Sequence, residues 1–257
     1  MIATRFNRRR LLAHLAWMAP ALCIADARIW EPEWLRVQTF RLNPGARRFR
    51  FVQFTDVHFK GDRAWLGEVI RRINSLSPDF ACFTGDLIEE AQHFDAAVEE
   101  LAKLRMPLFA VPGNHDHWSR ADFAPMAALC QQTGGAWLED RHTTAAGGRV
   151  AIIGVDRWPA RCVAAPGLFN LLLCHYPAQA NDLGGRRYDL MLAGHSHGGQ
   201  VRLPLIGPLI TPSRTAGYNL GWYDTPAGRL YVNPGIGTLG SFNVRFNCRP
   251  ELTVFEA

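Results

Sequence analysis

Phe51-Val-Gln-Phe-Thr55-Asp56-Val57-His58 is a short apolar run, of the length of a buried strand, that ends abruptly in a carboxylate and an imidazole. The same arrangement recurs four more times. Phe80 to Thr84 runs into Gly85-Asp86, and Leu108 to Val111 runs into Pro112-Gly113-Asn114-His115-Asp116. Leu171 to Cys174 runs into His175, and Leu190 to Ala193 into Gly194-His195-Ser196-His197. Stretches with helical spacing lie among them: Asp62 to Leu76 repeats Leu66, Val69, Ile70 and Ile73, and Ala96 to Leu104 and Phe123 to Cys130 read the same way. This alternation predicts a layered α/β domain with helices covering a sheet. Trp34 to Leu42 reads as extended, up to a turn at Pro44-Gly45. Arg149 to Val155 follows a Gly147-Gly148 turn as a further strand, and the last sixty residues, rich in Gly and Pro, read as mainly β. With no internal repeat and no linker after residue 45, residues 31–257 are expected to form one domain.

Open α/β sheets bind ligands beyond the carboxyl ends of their strands. A lone His is ordinarily a surface or core residue, and a lone Gly-Asp a turn. Here five of the nine histidines fall at successive strand ends. Asp56, His58, Asp86, Asn114, His175, His195 and His197 together offer carboxylate, imidazole and amide donors without a thiolate, a set suited to manganese, iron or zinc. Seven donors oversupply one ion, whereas two divalent ions sharing a bridging carboxylate fit the number.

The order Asp-x-His, Gly-Asp, Gly-Asn-His-Asp, His, Gly-His-x-His resembles the signature of the calcineurin-like metallophosphoesterases. Four further stretches resemble that superfamily's bacterial membrane-associated phosphodiesterase branch: Gly194 to Pro204, Gly235-Ile-Gly-Thr-Leu-Gly240, Phe246-Asn-Cys-Arg-Pro-Glu251 and Glu31-Pro-Glu-Trp-Leu35. The likeness spans roughly residues 31 to 255. It implies a four-layer α/β/β/α sandwich with a dinuclear site at the C-terminal ends of the strands. It also implies that Asp56, His58 and His197 bind one metal, that Asn114, His175 and His195 bind the other, and that Asp86 bridges them. His115 then stands beside the scissile phosphate as the acid for the leaving group, with Asp116 or Glu89 as the residue that orients it. Three departures from the family pattern stand out, the first being Glu89, three residues beyond Asp86, where related phosphatases carry an aspartate that orients the histidine. Residues 156–170, before the His175 strand, are few, which implies a reduced covering helix and a more open mouth. Pro234 occupies a position where arginine is common.

Composition narrows the function further. At 257 residues, 48% apolar and 20% charged, the chain buries a real core, which excludes disorder, collagen and coiled coil. The net charge is +5. Residues 1–50 carry ten arginines against Asp26, Glu31 and Glu33, a balance of +7, which leaves 18 basic and 20 acidic residues, or −2, for the rest. A nucleic-acid reader would spread basic charge over its folded body, so none is expected as a partner, and no protein partner is indicated. Arg8-Arg9-Arg10 precedes about fifteen mostly apolar residues. As a helix these reach roughly 22 Å, short of the ~30 Å hydrocarbon core. The run ends at Ala25-Asp26-Ala27, and Asn7 to Leu12 resembles a twin-arginine signal.

Residues 1–30 are therefore expected to be a leader or anchor at the inner membrane. Export is favoured; an uncleaved leader resting on the cytoplasmic leaflet is the alternative. The six cysteines, with no CxxC spacing, point to packing. The expected partners are the lipid surface and a phosphorylated or lipid-linked small molecule. Within the branch, UDP-2,3-diacylglucosamine hydrolysis in lipid A synthesis is a known activity and the specific candidate, and it requires the cytoplasmic face. The alternatives are an exported general phosphodiesterase or phosphatase, and a metal-free binding module, against which the filled ligand positions argue.

Overall fold

A computed structural model of the chain describes residues 17, 20–42, 49–157, 163–240 and 243–257. Its first sheet comprises β1 (Arg36–Arg41), β14 (Glu251–Glu256), β2 (Arg50–Phe54), β3 (Phe80–Phe83), β4 (Leu108–Ala110) and β5 (Ala136–Trp137), in that spatial order. β2 through β5 are parallel, and β14 runs antiparallel to β2. The second sheet runs β12 (Gly221–Thr225), β13 (Gly228–Val232), β9 (Tyr188–Ala193), β8 (Phe169–Cys174), β7 (Val150–Val155), β6 (Arg141–Ala145), and is parallel from β7 through β13.

The central strands, such as β3, β4, β7 and β8, are largely apolar because both of their faces are covered. On the outer face of the first sheet, Val52, Phe54, Ala81, Phe83, Leu108 and Ala110 pack with residues of the helices Arg63–Ser75, Phe94–Leu101 and Ala124–Gln132. The alternate residues Phe51, Phe80, Cys82 and Phe109 point inward, where they meet Ile152, Leu171, Leu173, Leu190 and Leu192 of the second sheet. Phe51 and Phe80 stack with centroids 5.0 Å apart. Asp62 caps the first helix by accepting a hydrogen bond from the Trp65 amide.

Helix, sheet and sheet are thus the first three layers of the expected sandwich. The fourth is thin. Among the described residues the outer face of the second sheet is covered by the single 3-10 turn Pro177–Asn181 and by loop residues such as Leu183 and Tyr218. Of residues 156–170, where a reduced covering helix is expected, 158–162 lie outside the described residues.

Two buried polar residues stitch the sheets together. Gln53 of β2 donates to the Ala193 carbonyl at 3.0 Å and to Thr84 Oγ1 at 3.2 Å, joining three of the strand ends that matter below. Glu251 of β14 accepts from Arg36, from Thr253 and from the Tyr231 hydroxyl of β13. Ahead of β1, residues 20–30 are helical. The Ala27 carbonyl accepts from the Arg245 amide, and Glu31 accepts from the Asn247 and Cys248 amides. Among the described residues no helix is long and apolar enough to cross a membrane. The Arg8-Arg9-Arg10 run and the Pro44-Gly45 turn lie outside the described residues.

Candidate metal centre

The carboxyl ends of β2, β3, β4, β8 and β9 converge on one pocket. There the fold gathers Asp56, His58, Asp86, Asn114, His175, His195 and His197, all of them buried. Five of these seven have left-handed backbone conformations: Asp56 (φ 50°), His58 (43°), Asp86 (60°), His195 (68°) and His197 (50°). Such conformations cost non-glycine residues roughly 1–3 kcal/mol each and cluster at functional sites. The tight turns also need room. A Cβ on Gly194 would lie 2.1 Å from Asp56 Oδ2, and one on Gly113 would lie 2.1 Å from Asp86 Oδ1. Each glycine immediately precedes a candidate ligand because only a bare backbone lets the strand ends close up.

The side chains meet in two clusters. In the first, His197 Nε2 lies 3.2 Å from Asp56 Oδ1 and 3.0 Å from His58 Nε2. In the second, His175 Nε2 lies 3.0 Å from Asn114 Oδ1, 3.2 Å from His195 Nδ1 and 3.2 Å from Asp86 Oδ2. Asp86 Oδ2 is also 3.6 Å from His58 Nε2, so one oxygen faces both clusters. Its partner Oδ1 accepts the His115 amide at 2.8 Å.

The outer atoms fix which nitrogens carry protons. His175 Nδ1 donates to the Thr84 carbonyl at 2.8 Å, and His195 Nε2 donates to the Ser213 carbonyl at 2.7 Å. His58 Nδ1 lies 3.3 Å from Glu89 Oε1. Lone pairs are thereby left converging at short range, an arrangement that a cation satisfies. The residues present fit divalent metal ions.

Electrostatics agree. Burial alone would raise Asp56, yet His197, His175 and His58 hold it far below the usual carboxylate range. Asp86 is likewise raised by burial and drawn down to about 2 by His175 and His58. Burial depresses His195 to about 4, helped by His175, and depresses His197 to about 4 against the pull of Asp56. His175 goes the other way: Asp86 and Asp56 outweigh burial and lift it to about 9, a measure of the cation-attracting field at that point.

His115 is half-buried. It brings a ring nitrogen within 4.8 Å of ligand atoms of His58 and Asp86, and burial lowers its pKa. Its ring lies against those of His58 and Trp118, with centroids 4.8 and 4.9 Å away.

The two residues expected to orient His115 are occupied elsewhere. Asp116 accepts from the Gly113, Asp86 and Leu87 amides, each at 2.8 Å, which locks the start of the short helix Asn114–Ser119 to the Gly85-Asp86 turn. Burial and Asp86 push its pKa up to about 6. Glu89 stands on His58 and 3.6 Å from Lys60 Nζ; burial raises it, and His58 draws it down to about 2.

Sequence reading missed Arg245, which is fully buried and donates to the Gly237, Cys248 and Pro234 carbonyls. It holds the Gly235-Ile-Gly237 loop against the backbone of Asp56, where the Gly237 amide donates to the Asp56 carbonyl at 2.7 Å. Thr84 and Ser213 were also missed. Both act through backbone carbonyls, which carry no sequence signal.

The model of the calcineurin-like phosphoesterase family matches residues 49–199, a span that contains every strand end of this pocket. Over 89% of its length the chain is 32% identical to the metallophosphoesterase YkuE of Bacillus subtilis, of which it covers 87%. It is 28% identical to the phosphodiesterase YaeI of Escherichia coli, covering 97% of the chain and 98% of that protein. With the UDP-2,3-diacylglucosamine pyrophosphatase LpxG of Chlamydia trachomatis the identity is 26%, over 93% of the chain and 94% of the relative. A pocket of converging lone pairs inside the matched span, and relatives matched along nearly their whole length, have one explanation: this chain belongs to the calcineurin-like phosphoesterases, hydrolases that use divalent metals.

Proposed function

We propose that the chain uses two divalent ions of the manganese, zinc or iron kind to hydrolyse a phosphodiester or pyrophosphate bond in a lipid-linked substrate at the membrane. The observation that carries the dinuclear reading is Asp86 Oδ2, which lies within 3.6 Å of one histidine from each cluster. Asp56, His58 and His197 would hold one ion, Asn114, His175 and His195 the other, with Asp86 between them. When bound, such ions acidify water and neutralise charge on phosphoryl oxygens.

The chain's own contribution is to aim the ligand nitrogens through the Thr84 and Ser213 carbonyls, and to place the His115 ring where it can pass a proton to the leaving oxygen. A side-chain nucleophile is not needed, and the sequence has no Gly-x-Ser-x-Gly. The names of the relatives YaeI and LpxG support a diester or pyrophosphate. UDP-2,3-diacylglucosamine is the specific candidate. The twin-arginine-like leader favours a second reading, an exported general phosphodiesterase.

Hydrolysis of bis(nitrophenyl) phosphate is the test of the activity: it should cease on chelation and return with added Mn2+ or Zn2+. Undiminished turnover by metal-free protein would end the proposal. Direct assay on UDP-2,3-diacylglucosamine separates the two substrate readings.

A further inference from the structure

Beside His197 an apolar groove of about 400 Å³ opens between Val201, Leu209, Ile210, Pro212 and Leu239. Nothing in the chemistry above uses it. His197 belongs at once to the groove wall and to the first ligand cluster, so a molecule whose phosphate reached the ligands would lay a neighbouring substituent along this surface.

The polar side chains beside His197 say what that substituent is. Ser196 Oγ donates to the Asn219 carbonyl at 2.6 Å and accepts from the Gly198 amide. Gln200 accepts from the Leu239 amide and donates to the Val244 carbonyl at 3.2 Å. Both are committed within the protein. A sugar or a base lying here would lose its water and find no replacement partner from either, a penalty of roughly 1–3 kcal/mol for each group. An alkyl chain loses nothing of that kind.

The groove also leads outward over apolar surface. Val201 and Leu209 close the base of a hairpin, with the Leu209 amide donating to the Val201 carbonyl, and β10 (Arg202–Leu203) pairs with β11 (Gly207–Pro208) above them. The tip carries Leu205 and Ile206, fully and three-quarters exposed, while Ile210 at the groove edge is 80% exposed. Four large apolar side chains in six residues, all of them exposed, give a lipid tail a path from a bilayer to His197.

We infer that this groove is an acyl-chain subsite, so the substrate class is a phosphodiester or pyrophosphate carrying an alkyl or acyl chain close to the scissile phosphorus. The inference rests on the phosphodiesterase reading above.

A series of nitrophenyl phosphodiesters, with the second ester group ranging from ethyl to decyl and kept below aggregation, tests it without a membrane. In each, a water oxygen bonds to phosphorus, the bond from phosphorus to the nitrophenyl oxygen breaks, and the alkyl phosphate and nitrophenol are released. kcat/KM should rise about threefold to fourfold per methylene, equivalent to ~0.8 kcal/mol each, until the groove is filled. Leu209→Asn with Ile210→Asn should lower the decyl-to-ethyl ratio of kcat/KM at least tenfold. Leu239→Trp, which fills the groove from another wall, should lower the same ratio. Because the ratio is internal, partial misfolding of a variant does not alter it. A flat series with good hydrolysis of the ethyl ester, or an equal rise in the variants, overturns the subsite and leaves the phosphodiesterase reading intact. No hydrolysis of any member after metal is restored would sink both.

Discussion

Glu89 and His115 are the residues whose roles the geometry redefines. Glu89 sits three positions beyond Asp86, where the family resemblance implied a partner for His115, but its carboxylate faces His58 Nδ1 at 3.3 Å. Carboxylates that hold a ligating histidine commonly account for 10–100-fold in metal affinity or activity. Glu89→Gln should therefore weaken metal binding in that range, read by titrating metal-free protein; unchanged affinity would reduce Glu89 to a surface partner of Lys60. His115→Ala should keep its metals and lose about 10²–10⁴-fold in turnover of diesters with poor leaving groups, and less with nitrophenolate, which needs little protonation. An equal loss across leaving groups would assign His115 to phosphate positioning instead. The candidate donors themselves were legible in the sequence, because a polar residue that ends an apolar strand has few structural reasons to be there. What was hidden was partner choice. Asp116 looks like an acid beside His115, but the helix turn rotates it onto three backbone amides. The carbonyls of Thr84 and Ser213 are anonymous in any sequence.

The elements read correctly are those with an apolar pattern: the continuous run of β2, and the helix Arg63–Ser75 with Leu66, Val69, Ile70 and Ile73 on one side. Asn114–Ser119 went unread as a helix because Asn-His-Asp-His-Trp-Ser has no apolar stripe; what makes it helical is Asp116 capping its first turn. β6 is polar and edge-placed, so it too lacked a signal. This short helix is tied to the end of β7 by His117 Nε2, which donates to Asp156 Oδ1 at 2.9 Å. The Asp156 hydrogen bond raises the His117 pKa above its ordinary value, against burial and against Arg157, with Asp116 adding to the rise. A raised histidine stabilises the fold fully below its unfolded pKa of about 6.5 and loses that contribution as pH climbs through the folded value. Compared with Asp156→Asn, the wild type should hold its largest advantage, about 1 kcal/mol for so partly exposed a pair, near pH 5.5. The gap should narrow above neutrality in urea unfolding. A gap that widened with pH would mean that His117 acts neutral.

For the molecule as a whole, the charge division of the sequence, +7 in residues 1–50 and −2 beyond, has its counterpart in where packing begins. Ala27 and Glu31 already bond to the loop around Arg245 and Cys248, whereas Leu22, Ile24, Ile29 and Trp30 are exposed. A chain starting at Asp26 should stay soluble and hydrolyse bis(nitrophenyl) phosphate as the full chain does. It should sediment less with phosphatidylglycerol vesicles, having lost Arg5, Arg8, Arg9 and Arg10 at about 1 kcal/mol each near an anionic surface. Insolubility would instead make the leader part of the folded domain. A reporter fused to the C-terminus would show which side of the membrane the domain occupies, and only the cytoplasmic side suits UDP-2,3-diacylglucosamine. The layering was legible because strands buried on both faces are largely apolar. The apolar groove beside His197 was not, since Val201, Leu209 and Leu239 are brought together by a hairpin and a return loop with no shared period. The central claim is one carboxylate serving two ions, and the direct measurement is metal content beside activity in the wild type and in Asp86→Asn. The expected result is two divalent ions per wild-type chain, at most one in Asp86→Asn, and a larger loss of turnover than Asp56→Asn causes. An Asp86→Asn protein that kept two ions and its activity would contradict the account.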